Sequence, residues 1–218
     1  NRFQKENRGF FGFFESIDDS DVAAGLFEAV KQWHAARGIT QIRGPMNPSM
    51  NYECGLLIEG FDTPPFFMMT HNWPYYQRLI EGCGFGKAED MFAFFAPTEM
   101  LNSLDPKLAA ITEECQRRFQ VKLRQMERRN FNRDVRLFLD IYNQALVGMW
   151  GFVPMSPGEV KKQARGMKQM IVPELTTVAE VDGKAVGTMF GLFDYNPRIK
   201  AIDGRLFPFG FLKLLRKR

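Results

Sequence analysis

Residues 75–90 read YYQRLIEGCGFGKAED and residues 175–193 read LTTVAEVDGKAVGTMFGLF. The order in which these two stretches occur decides the fold. The first begins as a helix. Pro74 stands at a first helical position, where no amide hydrogen is needed, and the helix runs through Leu79 to about Cys83. Gly84 and Phe85 follow, and residues 88–95 read as a strand. The second stretch is a hairpin. It turns at Asp182-Gly183, a pair suited to the positive φ angles of a two-residue turn.

Working outward, residues 9–15 read GFFGFFE, an aromatic run compatible with a buried strand. The Asp and Ser side chains of 18–21 can cap the amides of a following helix. That helix carries Val22, Leu26, Ala29, Val30 and Trp33 on an apolar period, places His34 on a solvated face, and stops at Gly38. Residues 39–43 form the next strand, so strand, helix and strand suggest a parallel crossover. Residues 47–72 are rich in Pro, Gly and Asn and read as a long structured loop. A linker is expected over 98–105 and a helix over 106–118. A half-buried strand at 119–124 follows, then helices at 133–147 and 157–170. The tail, 206–218, carries Phe209, Leu212 and Leu215 and reads as a short amphipathic helix.

Composition narrows the class. The chain has 218 residues, 45% hydrophobic and 25% charged, as in ordinary globular proteins. Its 22 phenylalanines predict a core rich in rings. No apolar run approaches the ~20 residues of a membrane span. The three cysteines, Cys54, Cys83 and Cys115, match neither a metal spacing nor a disulfide framework, so a reducing cytoplasm is expected. The net charge of +4 is local. It sits in the terminal Lys213, Arg216, Lys217 and Arg218 and in the arginine-dense stretch 117–136. No DNA-binding role is expected from it.

The stretch 75–90 resembles the last helix and closing strands of a GNAT-type acyltransferase. The stretch 175–193 resembles the early hairpin of the same fold. Residues 43–76, RGPMNPSMNYECGLLIEGFDTPPFFMMTHNWPYY, and 141–154, IYNQALVGMWGFVP, are similar to a group of bacterial GNAT-like, or N-acetyltransferase-like, proteins. Because the late piece precedes the early one, the resemblance implies an α/β chain of two tandem GNAT-like modules, each incomplete. Residues 1–97 would be the C-terminal part of a first module, 98–105 a linker, and 106–218 the N-terminal part of a second. The chain would then be an internal fragment of a longer protein.

The resemblance implies acyl transfer from acetyl-CoA or another acyl-CoA to a small-molecule or peptide amine. It also implies a pyrophosphate-binding loop after Phe14. Here that position holds Glu15, Asp18, Asp19 and Asp21, which repel an anion, so no cofactor is expected on this fragment. A GNAT general acid is commonly a tyrosine four residues before Gly-Phe. That place is Ile80, and Tyr75 and Tyr76 lie one turn earlier as the catalytic candidates. Their plainer reading is packing at a helix start.

Asn47, Asn51, His71 and Asn72 are the candidates for lining a ligand cleft, since binding residues concentrate on loops. Their plainer reading is turn capping. No metal site is expected, because His34 and His71 lack ligands at suitable spacing. Glu53, Glu59 and Asp62 could serve as a general base, and Cys54 lacks a base to activate it. Two other functional classes remain open. One is a non-catalytic GNAT-like binding or structural module. The other is a Fem-like aminoacyl-tRNA-dependent transferase, for which Phe119 and Phe131 within the arginine stretch would offer an RNA or tRNA surface.

Overall fold

The computed structural model describes residues 3–47, 49–103, 105–168 and 170–215. The chain is mixed α/β with two small sheets. It divides into two compact units that interleave along the sequence. One comprises Asn1–Met91, Trp150–Val153 and Asp194–Arg218; the other comprises Phe92–Met149 and Pro154–Phe193. The expected boundary at 98–105 is therefore not where the units part. That segment is largely a 3₁₀ helix, Thr98–Ser103, within the second unit.

The first unit is built on a strand–helix–strand crossover. β1 (Arg8–Phe10) and β2 (Gln41–Arg43) pair in parallel, with Gly9 opposite Ile42. Between them runs α1 (Ser20–Ala35), whose N-cap Asp19 accepts from the amides of Asp21 and Val22. This is the expected crossover and the expected cap. The buried face of α1 is not the expected one. Ala23, Phe27 and His34 are buried, while Val22, Leu26 and Trp33 are exposed. The ring of Phe27 decides the rotation. It meets Phe11 edge-on at 5.0 Å, stacks on Phe14 at 5.1 Å and touches Phe85 at 4.7 Å. Such pairs add ~0.5–1.5 kcal/mol each beyond area burial. His34, expected on a solvated face, instead lies inside, its Nε2 on the Phe10 carbonyl at 3.1 Å. Trp33 stays outside under the Arg37 guanidinium, 3.7 Å from the ring centroid.

α2 (Tyr76–Gly82) buries Tyr76, Leu79 and Ile80. It starts two residues later than Pro74 suggested, with Tyr75 as its N-cap. Residues 88–95 form no strand. Among the described residues no strand pairs with them, and Phe92, Phe94 and Phe95 remain exposed. The unit also contains α6 (Asn196–Ile202) and α7 (Gly210–Leu215). α7 falls within the expected tail helix; Arg216, Lys217 and Arg218 lie outside the described residues.

The second unit holds α3 (Pro106–Phe119), capped by Asp105, and then β3 (Lys122–Gln125). Phe119 closes the helix and is exposed, so the strand starts later than its alternation suggested. α4 (Phe131–Ala145) and α5 (Pro157–Met167) follow, then β4 (Thr176–Val181) and β5 (Lys184–Phe190). The three strands form one antiparallel sheet in the order β3-β4-β5. The hairpin turns as read, with Asp182 at φ 51° and Gly183 at φ 74°. Two packed clusters fill the interior. Met126, Phe131 and Ile171 make one; Leu139, Met155 and Val160 make the other; Val135 packs against both. The buried polar anchor is Asp134, fully inaccessible. It takes both guanidinium arms of Arg124, at 2.9 and 3.1 Å, and the Glu127 amide at 3.2 Å.

Candidate functional site

A cleft of about 210 Å³ opens in the first unit. Three chain segments wall it. Phe13, Phe14 and Glu15 leave the end of β1; Asn47 follows β2; and 53–56 and 70–72 belong to the long Pro/Asn-rich loop, with Tyr76 of α2 below. The crossover brings the first two together, because the parallel pairing sets the exits of β1 and β2 side by side. The loop is held in place by polar side chains. Asn72 accepts from the Leu57 amide at 2.7 Å and donates to the Leu57 carbonyl at 3.2 Å. Thr70 Oγ1 donates to the Cys54 carbonyl at 3.0 Å.

Tyr76 is the best-defined polar group in the wall. Its side chain is buried, its ring meets Phe14 edge-on at 5.0 Å, and its hydroxyl donates to Glu15 Oε2 at 2.5 Å. The Ser16 amide donates back to the phenol oxygen at 3.3 Å. Burial, then the Glu15 hydrogen bond, push the phenol up from its ordinary value, only partly offset by the Ser16 amide. Tyr76 is thus held as a neutral donor. Tyr75 does a different job: its hydroxyl donates to the Ser16 carbonyl at 2.9 Å, and it tethers the same segment.

Asn47 sits where a side chain on Gly12 would have to be. A Cβ there would lie 1.6 Å from Asn47 Oδ1. Glu53 also lines the cleft, and its carbonyl accepts from the Asn47 amide at 3.2 Å. Burial and the neighbouring Glu53 charge push the Cys54 thiol up, so it is no ready nucleophile.

Of the residues singled out by sequence, Asn47, His71, Asn72 and Tyr76 line the cleft together. Asn51 does not; its amide donates to the Val153 carbonyl at 2.6 Å and anchors the loop. The sequence shows Glu15 only as part of an acidic run. Its pairing with Tyr76 spans 61 positions and leaves no local signal. Three arginines of the 117–136 stretch are ion-paired, and of these only Arg124 is largely buried. Arg124 pairs with Asp134 and Glu180, Arg117 with Glu114, Arg133 with Asp134, and Phe131 is core. Among the described residues no group of three His, Cys, Asp or Glu could hold a metal ion. Nor is any described helix long and apolar enough to cross a membrane.

The site after Phe14 does not fit a pyrophosphate. The first amides of α1 are taken by the Asp19 side chain, and Asp18 is tied to Arg78. An anion arriving there would meet carboxylates instead of free N–H groups.

No family model matches the chain, and no solved structure matches it. The chain is similar to a bacterial ceramide synthase of Caulobacter vibrioides, 37% identical over 213 residues, which covers 95% of this chain and 53% of that protein. It is also similar to protein YghO of Escherichia coli, 35% identical over 214 residues, covering 98% of this chain and 54% of that one. The chain thus spans about half the length of the curated relatives it matches.

Proposed function

We propose that this chain is part of an N-acyltransferase that forms an amide on a long-chain amino alcohol, within a GNAT-like architecture. The observation that carries the reading is the 37% identity, across nearly all of this chain, to a protein named a bacterial ceramide synthase. A ceramide is by definition the amide of a fatty acid and a long-chain amino alcohol. The GNAT resemblance points independently to amine acylation. In that reaction class the amine nitrogen forms a C–N bond to the acyl carbon, the bond to the donor's sulfur breaks, and the proton shed by nitrogen ends on the leaving thiol. The acyl-CoA donor is implied by the resemblance alone; the segment after Phe14 does not fit its pyrophosphate, and in this reading the first unit serves the acceptor side. The described cysteines Cys54, Cys83 and Cys115 are free, which suits a cytoplasmic enzyme.

The test is direct. The full-length protein is incubated with a long-chain amino alcohol and a long-chain acyl-CoA, and the lipid extract is analysed by mass spectrometry. The expected product is the N-acyl amide, dependent on both substrates. Its absence, with both substrates recovered intact, removes the reading.

A further inference from the structure

We propose that the cleft of the first unit is a binding subsite for a primary ammonium group, with Glu15 as its counter-ion and Tyr76 as the residue that positions Glu15. The identity of the amine rests on the acyl-transfer reading; the charge preference of the cleft does not.

Three observations lead there. The first is the sign of the wall. Glu15 and Glu53 reach it from separate segments, and among the described residues no lysine or arginine lines it, so a cation is favoured and an anionic cofactor is not. The second is pre-organisation. Glu15 is otherwise a solvent-facing side chain on an irregular segment, free to sample many rotamers. The buried Tyr76 phenol takes Oε2 at 2.5 Å, and Tyr76 is itself fixed by Phe14 and by the Ser16 amide. Oε1 has no hydrogen-bond partner among the described residues, so the carboxylate presents one committed and one open oxygen. A charge-assisted N–H···O bond to that oxygen gains from not having to order the acid first. The third is what surrounds it. Asn47 stands in the same wall, its side-chain amide filling the space beside Gly12, and can accept a second N–H from the ammonium or bond a neighbouring hydroxyl. Phe13, 76% exposed, offers apolar surface in the same wall to the carbon chain of an amphiphile.

The arrangement also says what the cleft does not do. With Cys54 kept as a thiol, no covalent intermediate is expected on it. A bound ammonium must lose one N–H proton before its nitrogen lone pair can attack; Glu15, open to solvent, can pass that proton to water, and the second proton, shed on acylation, ends on the leaving thiol.

Calorimetry on the full-length protein, without any acyl donor, tests this with octylamine, octanol and N-acetyl-octylamine below their aggregation limits. Octylamine should bind at neutral pH at least tenfold more tightly than the other two. Glu15→Gln should abolish that preference, and Tyr76→Phe should weaken octylamine several-fold while leaving octanol unchanged. Glu15 is exposed, so the Gln variant is expected to fold, and circular dichroism confirms that each variant has done so. Equal binding of octylamine and octanol overturns the proposal. So does an unchanged octylamine affinity in Glu15→Gln. The amide-forming assay separates the two readings. Charge-selective binding that depends on Glu15 in a protein that forms no amide keeps the subsite and removes the acyl-transfer reading. Amide formation with an unchanged amine KM in Glu15→Gln keeps acyl transfer and removes the subsite.

Discussion

The Tyr76 hydroxyl reaches Glu15 Oε2 at 2.5 Å, across 61 positions of sequence. With the Arg78–Asp18 ion pair, it ties the segment that leaves β1 to α2 through charged groups. Tyr76→Phe keeps the ring packed on Phe14 and removes only the oxygen. The Ser16 amide and Glu15 then lose a partner, and we expect a loss of ~1–2 kcal/mol in stability by urea denaturation. The sign with pH follows from the raised phenol. Stability that depends on the neutral phenol is complete below about pH 10, the ordinary tyrosine value, and is lost as pH rises through the higher folded value. The wild type should therefore weaken in that alkaline range more steeply than Tyr76→Phe.

Gly12 and Asn47 make a second checkable pair. A methyl group at position 12 would sit 1.6 Å from Asn47 Oδ1, so either the Asn47 side chain or the backbone after β1 must move. Gly12→Ala should cost ~1–3 kcal/mol, as overpacking does. Gly12→Ala combined with Asn47→Ala should recover much of that, because the three nearest atoms all belong to the Asn47 amide. Thermal denaturation of the two variants side by side reads the difference.

The elements of this chain were legible where local chemistry decides them. The Asp19 cap, the Asp182-Gly183 turn and the β1–α1–β2 crossover each follow from neighbours in sequence. The helix starting at Pro106 was legible for the same reason. Legibility failed where two faces competed. α1 carries apolar residues on both Val22–Leu26–Trp33 and Ala23–Phe27 stripes, and only the ring cluster of Phe11, Phe14 and Phe85 shows which turns inward. The strand expected over 88–95 does not form because a strand needs a partner to become a ladder, and sequence does not show a missing partner. The cleft was half legible. Its asparagines and tyrosine lie in one conspicuous loop and helix, whereas Glu15 comes from a distant segment where sequence shows only its charge.

Ser156 and Glu159 form a reciprocal cap on α5. The Glu159 amide donates to Ser156 Oγ at 3.3 Å and the Ser156 amide to Glu159 Oε2 at 2.8 Å. Ser156→Ala should destabilise the second unit by ~1 kcal/mol, with Ser156→Asp close to neutral because it restores the acceptor. Hydrogen exchange of the first α5 amides should report the loss more strongly than that of β4.

Arg124 and Asp134 set the acid limit of the second unit. Burial by itself would raise the Asp134 carboxyl. The hydrogen bonds from Arg124 and the Glu127 amide, with the charges of Arg124 and Arg133, outweigh burial and hold it below the ordinary carboxylate range. Its stabilisation is therefore complete above about pH 4, the unfolded value, and is lost as pH falls through the lower folded value. Asp134→Asn removes the charge but keeps the volume. It leaves the Arg124 guanidinium with only Glu180 as a charged partner, in a largely buried position. We expect a loss of ~3–5 kcal/mol at pH 7, the cost of breaking a buried pair from one side. Arg124→Met should cost a comparable amount, because it strands the buried carboxylate. The double variant Arg124→Met with Asp134→Leu should cost less than either, since no charge is then left unpaired beneath the sheet. Urea denaturation at pH 7 and pH 3 checks all of this. If the gap between wild type and Asp134→Asn fails to narrow at the lower pH, the carboxylate is not what holds the unit together.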